Sequence, residues 1–271
     1  MKEFELVSWG EKEQEYIKKY LSELAEQKNN AVLNRDEDTA DACWRAMEAI
    51  ELNVTYIKAF QNIKDQKFRE AWCELEQCEI IASFISNNSS EDFLLHSRVS
   101  FISEVVKKLQ SIYPYCVFAS PEFTVGYQTC SICGHKIRPR NRCSHVKGKL
   151  YYGELCVYHQ HDISFKSISL VSNPVQKYSV VHKDETLDFS VLNYLMSIVD
   201  SPFELWDIEW TTKVYPAAQF SSCAPDQKCP CHSGSSFSDC CLGKDEIAIP
   251  HVEFVFNRPV PNEIPDNIFP Y

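Results

Sequence analysis

Leu109-Gln110-Ser111-Ile112-Tyr113-Pro114-Tyr115-Cys116-Val117-Phe118-Ala119 marks the place where the periodicity of the chain changes. Upstream of it, apolar residues recur every three or four positions. Leu94, Phe101, Val105, Leu109 and Ile112 form one stripe, Phe68, Trp72, Leu75, Ala82 and Ile85 a second, and Cys43, Met47, Ile50, Val54 and Ile57 a third. That spacing predicts amphipathic helices, each with one buried side. Residues 11–33 predict a fourth, with Tyr16, Tyr20, Leu21 and Leu24 facing inward. Ser89, three residues before Asp92 and just after the polar pair Asn87-Asn88, is the expected start of the last helix. Helices joined by short polar loops pack as a bundle or as hairpins. No repeat of fixed period supports a tetratricopeptide-like array.

Downstream of Pro114 the pattern shortens. Cys116–Ala119, Ile163–Val171 and Tyr178–His182 read as strands. Helix returns over 188–199, where Phe189, Leu192, Leu195, Met196 and Val199 share a side. Ser201-Pro202-Phe203-Glu204 spells a capping box and predicts a short helix to Trp210. A strand is expected at His251–Phe256, then a loose end. The expected class is therefore α+β. The organisation read from the chain is a helical domain at 1–113, an α+β region with a Cys/His metal site at 114–222, a second metal motif at 223–245 and a proline-rich tail at 246–271.

The formal net charge of −11 argues against general binding to nucleic acid or anionic membrane, though it leaves room for a local basic patch. No stretch reaches the roughly 18–20 apolar residues of a membrane helix. Met1-Lys2-Glu3-Phe4-Glu5 lacks the apolar run of a signal peptide. The expectation is a cytoplasmic protein in a reducing compartment, with no membrane partner.

Thirteen cysteines need an explanation there. Cys229, Cys231, Cys240 and Cys241 crowd into one segment, and Cys130, Cys133, Cys143 and Cys156 into another. Neighbours so close cannot easily bridge each other, whereas a metal gathers them readily. Cys43, Cys73, Cys78, Cys116 and Cys223 are scattered and read as small core residues. Of the seven glycines, Gly134, Gly148, Gly153, Gly234 and Gly243 fall in or beside the clusters, where the chain must turn sharply.

The C-terminal segment, Lys228-Cys229-Pro230-Cys231-His232-Ser233-Gly234-Ser235-Ser236-Phe237-Ser238-Asp239-Cys240-Cys241, has the spacing C-x-C-x8-C-C. Ser233-Gly234 permits a chain reversal, so the Cys240-Cys241 pair can close a tetrahedron begun by Cys229 and Cys231. Four thiolates suit zinc and leave no vacant coordination position, which makes a structural site. With its C-P-C, Ser-Gly, aromatic Phe237 and C-C, this segment resembles the SEC-C motif, named for the tail of the SecA translocation ATPase. The resemblance spans about 16 to 20 residues and implies zinc held by Cys229, Cys231, Cys240 and Cys241 in a module that docks a protein or the ribosome. The chain departs from that pattern at His232, where glycine is usual, and in the loop Ser235–Asp239, where the family's lysines are missing.

The middle segment runs Cys130-Ser131-Ile132-Cys133-Gly134, Cys143-Ser144-His145 and Gly153-Glu154-Leu155-Cys156. C-x2-C is half of a zinc knuckle, and C-x-H supplies two more ligands. Cys130, Cys133, Cys143 and His145 are the favoured set, with Cys156 as the alternative to His145. Two zinc ions are expected in all. Together with Tyr151 and Ser169–Pro174, this segment is similar to a cysteine-rich module of phage head-assembly proteins, which implies a phage or bacterial origin. Some relatives of that module accompany proteases, but no catalytic serine and histidine can be matched here.

Between these ligands lie Lys136, Arg138, Arg140, Arg142, Lys147 and Lys149, with no acid in residues 130–150. Arg138, Arg140 and Arg142 are candidates to contact nucleic-acid phosphates; charge balance against the thiolates is the plainer reading. No HExxH, G-x-S-x-G or phosphate-binding glycine loop occurs. His159 and His161 before Asp162 are the one weak pointer to hydrolysis. The leading reading is a zinc-stabilised protein-interaction or adaptor module. A ribosome- or nucleic-acid-associated factor is the alternative and a hydrolase the third.

Overall fold

The computed structural model describes residues 4–231 and 233–260. The chain is α+β, with helices first and small antiparallel sheets after them. Contacts gather it into two units, one running through Gln110 and resuming over Tyr115–Glu185, the other formed by Ser111–Pro114 and the chain from Thr186. The change of texture at Pro114 is therefore a change of secondary structure, with most of the β-rich sequence up to Glu185 sharing a unit with the helices.

In the first unit, α1 (Glu11–Leu33), α2 (Glu37–Lys64) and α3 (Phe68–Ser86) follow one another through very short connections. Arg35 and Gln66 sit in those turns with φ of 58° and 61°. Each turn closes with a backbone bond back across the helix end, Asp36 N–H to the Ala31 carbonyl and Lys67 N–H to the Asn62 carbonyl. Asp36 then caps α2 by accepting from the Thr39 amide. The stripes expected on α2 and α3 are inward, with Cys43, Ile50, Val54, Ile57 and all five residues of the Phe68–Ile85 set buried. On α1 the fully buried line is Ile17, Leu24 and Ala31, on the expected side, with Tyr16, Tyr20 and Leu21 half-buried along its flanks.

The last expected helix is in fact two, α4 (Glu91–His96) and α5 (Val99–Ser111). Its cap is Ser90, whose hydroxyl accepts from the Phe93 amide, and not Ser89. The break falls at Ser97-Arg98, where Arg98 has φ of 64°. Two distant groups hold it: the fully buried Asn53 amide donates to the Ser97 carbonyl at 2.9 Å, and the Arg98 guanidinium donates to the Leu6 carbonyl at 2.7 Å. Helix periodicity continues through the break, which is why the stripe looked unbroken.

β1 (Phe118–Cys130) and β5 (Tyr158–Val171) form a long antiparallel ribbon, with β2 (Lys136–Ile137) beside β1. Register runs from Phe118 opposite Val171 to Cys130 opposite Tyr158, with a bulge after Glu122. β1 is much longer than the Cys116–Ala119 run that sequence picked out. Tyr178–His182 is not a strand, although Val180 bridges Phe118. The Phe118 end of the ribbon is anchored on α3: the Trp72 indole donates to the Lys177 carbonyl at 2.6 Å, and the buried Glu76 carboxylate accepts from the Lys177 and Tyr178 amides. Between the ribbon strands, β3 (Leu150–Tyr151) and β4 (Glu154–Leu155) make a hairpin whose turn residues Tyr152 and Gly153 both have positive φ.

In the second unit, α6 (Ser190–Ile198) buries the expected Phe189, Leu192, Leu195, Met196 and Val199. The helix expected after Ser201 does not form. Glu204 accepts from the Asp200 amide and binds the Arg258 guanidinium at 2.6 Å, so it is not free to cap. The chain continues as β6 (Trp206–Pro216), rich in aromatic and β-branched residues, paired along its length with β7 (Glu246–Phe256). The expected strand at His251–Phe256 is the C-terminal half of β7. The tail beyond Val260 lies outside the described residues.

Candidate metal centres

Cys229, Cys231, Cys240 and Cys241 present sulfurs that all lie within 4.8 Å of one another. Adjacent pairs are 3.3 Å (Cys229–Cys231), 3.4 Å (Cys231–Cys240) and 3.7 Å (Cys240–Cys241). Zinc–sulfur bonds of about 2.3 Å give a tetrahedron with edges of about 3.8 Å, so the donor set fits such an ion with little adjustment. Local backbone bonds explain the gathering. The Cys229 amide donates to the Ser235 carbonyl, and Lys228 bridges Ser236, so the chain doubles back over Gly234, at φ of 82°. The Cys240, Cys241 and Leu242 amides all point at the Phe237 carbonyl, which delivers the second pair of thiols.

The same turn buries Phe237 with Cys229, Cys241, Ile247 and Ile249, and Tyr215, Phe220 and Cys223 pack against them. The C-terminal cluster thus has its own small core, seated on the near end of β7. The Lys244 ammonium lies 3.5 Å from the Cys241 sulfur, and that contact raises the lysine's pKa. One cation is in place against a thiolate-rich centre.

The middle cluster brings together Cys130, Cys133, Cys143 and His145, again within 4.8 Å. Cys156 stands beside this set, its sulfur 3.7 Å from that of Cys130, while His145 Nδ1 is 3.8 Å from the same atom. Both alternative fourth ligands therefore sit at a plausible tetrahedral edge from Cys130. They differ in surroundings. Cys156 is fully buried, and His145 stands edge-on to Tyr151 on the wall of an open cleft of about 1000 Å³ that His159 also lines.

The knuckle forms because Cys130 ends β1 and Gly134, at φ of 71°, turns the chain so that its amide meets the Cys130 carbonyl. Cys156 enters two residues before β5, its amide on the Lys149 carbonyl. The cluster is thus the root of the ribbon. It is also fastened to the helices. Lys28 of α1 donates to the Gly153 carbonyl and pairs with Glu154 at 2.7 Å; Asp41 of α2 accepts from the Gly153 amide; Asn88 holds the Gly148 carbonyl and the Leu150 amide.

Acidity points the same way in both clusters. The Ser233 hydroxyl, working against burial and helped by neighbouring thiols, brings Cys231 down to about 6, while burial pushes Cys229 up to about 12. Burial opposes ionisation of Cys130, but the Cys133 and Ile132 amides and adjacent thiols bring it down to about 6; burial and the Cys130 charge push Cys156 up to about 11. One thiolate forms readily in each cluster and resists the next. A divalent cation is what allows several to ionise together.

Of the scattered cysteines, Cys43 and Cys78 are buried as expected, but Cys73 and Cys116 are exposed, and Cys116 lies 3.4 Å from His182 Nε2. Arg138, Arg140 and Arg142 are exposed, on a tight turn closed by backbone bonds between Arg138 and Asn141, and none pairs with an acid among the described residues. His161 stacks on Tyr127 and meets the Thr129 hydroxyl at 2.8 Å, so of the two histidines only His159 reaches the cleft. No helix among the described residues is long and apolar enough to cross a membrane. Among the described residues, two Cys/His clusters can hold metal ions, and comparison with family models, curated proteins and solved structures gives no match to the chain.

Proposed function

We propose that the chain is a zinc protein whose two ions are structural and whose role is to bind another protein. The observation that carries this is the closed four-sulfur set Cys229, Cys231, Cys240 and Cys241, with its edges near those of a zinc–thiolate tetrahedron. Such a centre has no vacant position for water or substrate, so it holds shape and does not run chemistry. The SEC-C-like spacing fits a docking module, and a reducing cytoplasm fits so many free thiols. Metal analysis of natively purified protein tests the reading. Two zinc ions per chain are expected, falling to one in Cys240→Ser; unchanged zinc in that variant contradicts it.

A second reading has its own support. Arg138, Arg140 and Arg142 are exposed and unpaired on a metal-held loop, a geometry suited to phosphate contacts on RNA or the ribosome. RNA recovered with the protein, lost as salt rises and lost in the triple charge reversal, favours this reading. A partner retained at high salt favours protein docking.

A further inference from the structure

The β1–β5 ribbon has two unlike faces. Direct register partners share a face. Ser120 with Ser169, Glu122 with Ser167, Thr124 with Ser164 and Gln128 with Gln160 form a polar one, and the bulge lysine Lys166 turns toward Glu122 at 3.9 Å. The other face pairs Ala119 with Leu170, Pro121 with Ile168, Phe123 with Phe165, Val125 with Ile163 and Tyr127 with His161. Its two strands place no Asp, Glu, Lys or Arg there, and the cation of this face is Lys136 of β2, whose ammonium lies 3.7 Å over the Tyr127 ring at the far end. Phe123 and Phe165 meet edge to face at 5.8 Å, so the centre is already packed within the chain. Both faces are open along the middle of the ribbon, so the apolar one is left bare: Phe123 is 49% exposed, Val125 36%, Ile163 55%, Phe165 57%, Ile168 61% and Leu170 69%.

Two-stranded ribbons are marginal in water unless something covers an apolar face. We propose that a second copy of this chain covers this one, ribbon face to ribbon face, making a four-stranded sandwich about a twofold axis. Area favours it. Six half-exposed side chains of this size present about 500–600 Å² per copy, so a pair removes about 1,000–1,200 Å² in the centre alone, at the threshold of a specific interface before any rim is counted. Composition favours it as well. From Ala119 to Val125 and their partners the face carries no charge to steer a dissimilar partner, and depletion of charge at the centre marks protein interfaces, homodimers above all. An antiparallel apolar face can meet its own copy about a twofold axis, the same patch serving both sides.

Sedimentation equilibrium of the metal-loaded full chain at micromolar concentration tests it. The expected mass is twice the 31.3 kDa of the chain. Phe165→Lys should return it to a single chain with its helical circular dichroism unchanged, and Ser164→Lys, on the polar face, should leave the dimer intact. Should Phe165→Lys misfold, the milder pair Phe123→Ala with Phe165→Ala should raise the dimer dissociation constant roughly tenfold or more. A single-chain mass for the unmodified protein overturns the proposal. So does a dimer that survives in folded Phe165→Lys or is unmoved by the double alanine variant.

Discussion

The two candidate metal clusters offer similar donors in different settings. The C-terminal cluster has four sulfurs and a private core of Phe237, Ile247 and Ile249, and its turn is closed by bonds within about twenty residues. The middle cluster has five candidate donors, sits at the root of the long ribbon, and is tied to α1, α2 and the end of α3. One is a clasp on a local fold. The other is a junction where a knuckle, a ribbon and a helical layer meet. A local clasp must keep every ligand, whereas a junction with a spare donor and outside ties can lose one and hold.

The largest expected effect follows from that. Cys241→Ser removes one of only four donors, and zinc at the C-terminal cluster should be lost, at a cost of more than about 4 kcal/mol to that module. Hydrogen exchange should rise over 223–249 while α1 to α3 keep their protection. His145→Ala and Cys156→Ala, each leaving four donors at the middle cluster, should keep that ion and weaken it about tenfold to a hundredfold, read by competition with a chelator. If all three variants lose zinc equally, the middle cluster has no spare donor and the contrast disappears.

Gly153→Ala attacks the junction from the helical side. Gly153 has φ of 72°, and an added Cβ would lie 2.7 Å from the Ala40 carbonyl oxygen, a backbone atom that cannot swing aside. Left-handed strain plus overpacking should cost about 2–4 kcal/mol. Thermal unfolding of the first unit should shift down while zinc at the C-terminal cluster stays. A matching Gly234→Ala meets nothing within 4 Å, so only the conformational strain at φ of 82° applies, about 1–2 kcal/mol.

The same contrast explains what could be read in the sequence. Both clusters were legible because their ligands are close in the chain and thiols at such spacing have few other uses. The helices α2 and α3 were legible from a period that tertiary contacts reinforced. What failed depended on partners far away. The break at Arg98 is set by Asn53 and Leu6, and no Gly or Pro announces it. The false helix at Ser201 came from a capping box whose Glu204 is bound to Arg258, 54 positions on. The ribbon's length was hidden by Pro121 on β1 and by the polar run His159-Gln160-His161-Asp162 at the start of β5, where no apolar alternation shows. The exposure of Cys73 was legible in the period of α3, which sets it opposite the Phe68–Ile85 stripe; that of Cys116, outside any helix, had no such signal. On α1 the side was legible but its centre was not: Tyr16 and Tyr20 stack on each other at 6.3 Å, half-buried, and Ile17 takes the inmost place.

The smallest expected effect has the opposite sign and lies away from both clusters. Gln66 joins α2 to α3 in the left-handed region, exposed, with its amide on the Ile63 carbonyl. Its side chain meets the usual left-handed penalty, and the position is the one where helices most often place glycine. Gln66→Gly relieves that penalty but gives the unfolded chain more freedom, so the two terms partly cancel. A net gain of about 0.5 kcal/mol is expected, seen as a small rise in the thermal midpoint of the helical signal. Because the turn touches neither cluster, zinc content and chelator competition should not move. If they did, α2 and α3 would be coupled to the metal junction through more than the ties at Asp41 and Asn88.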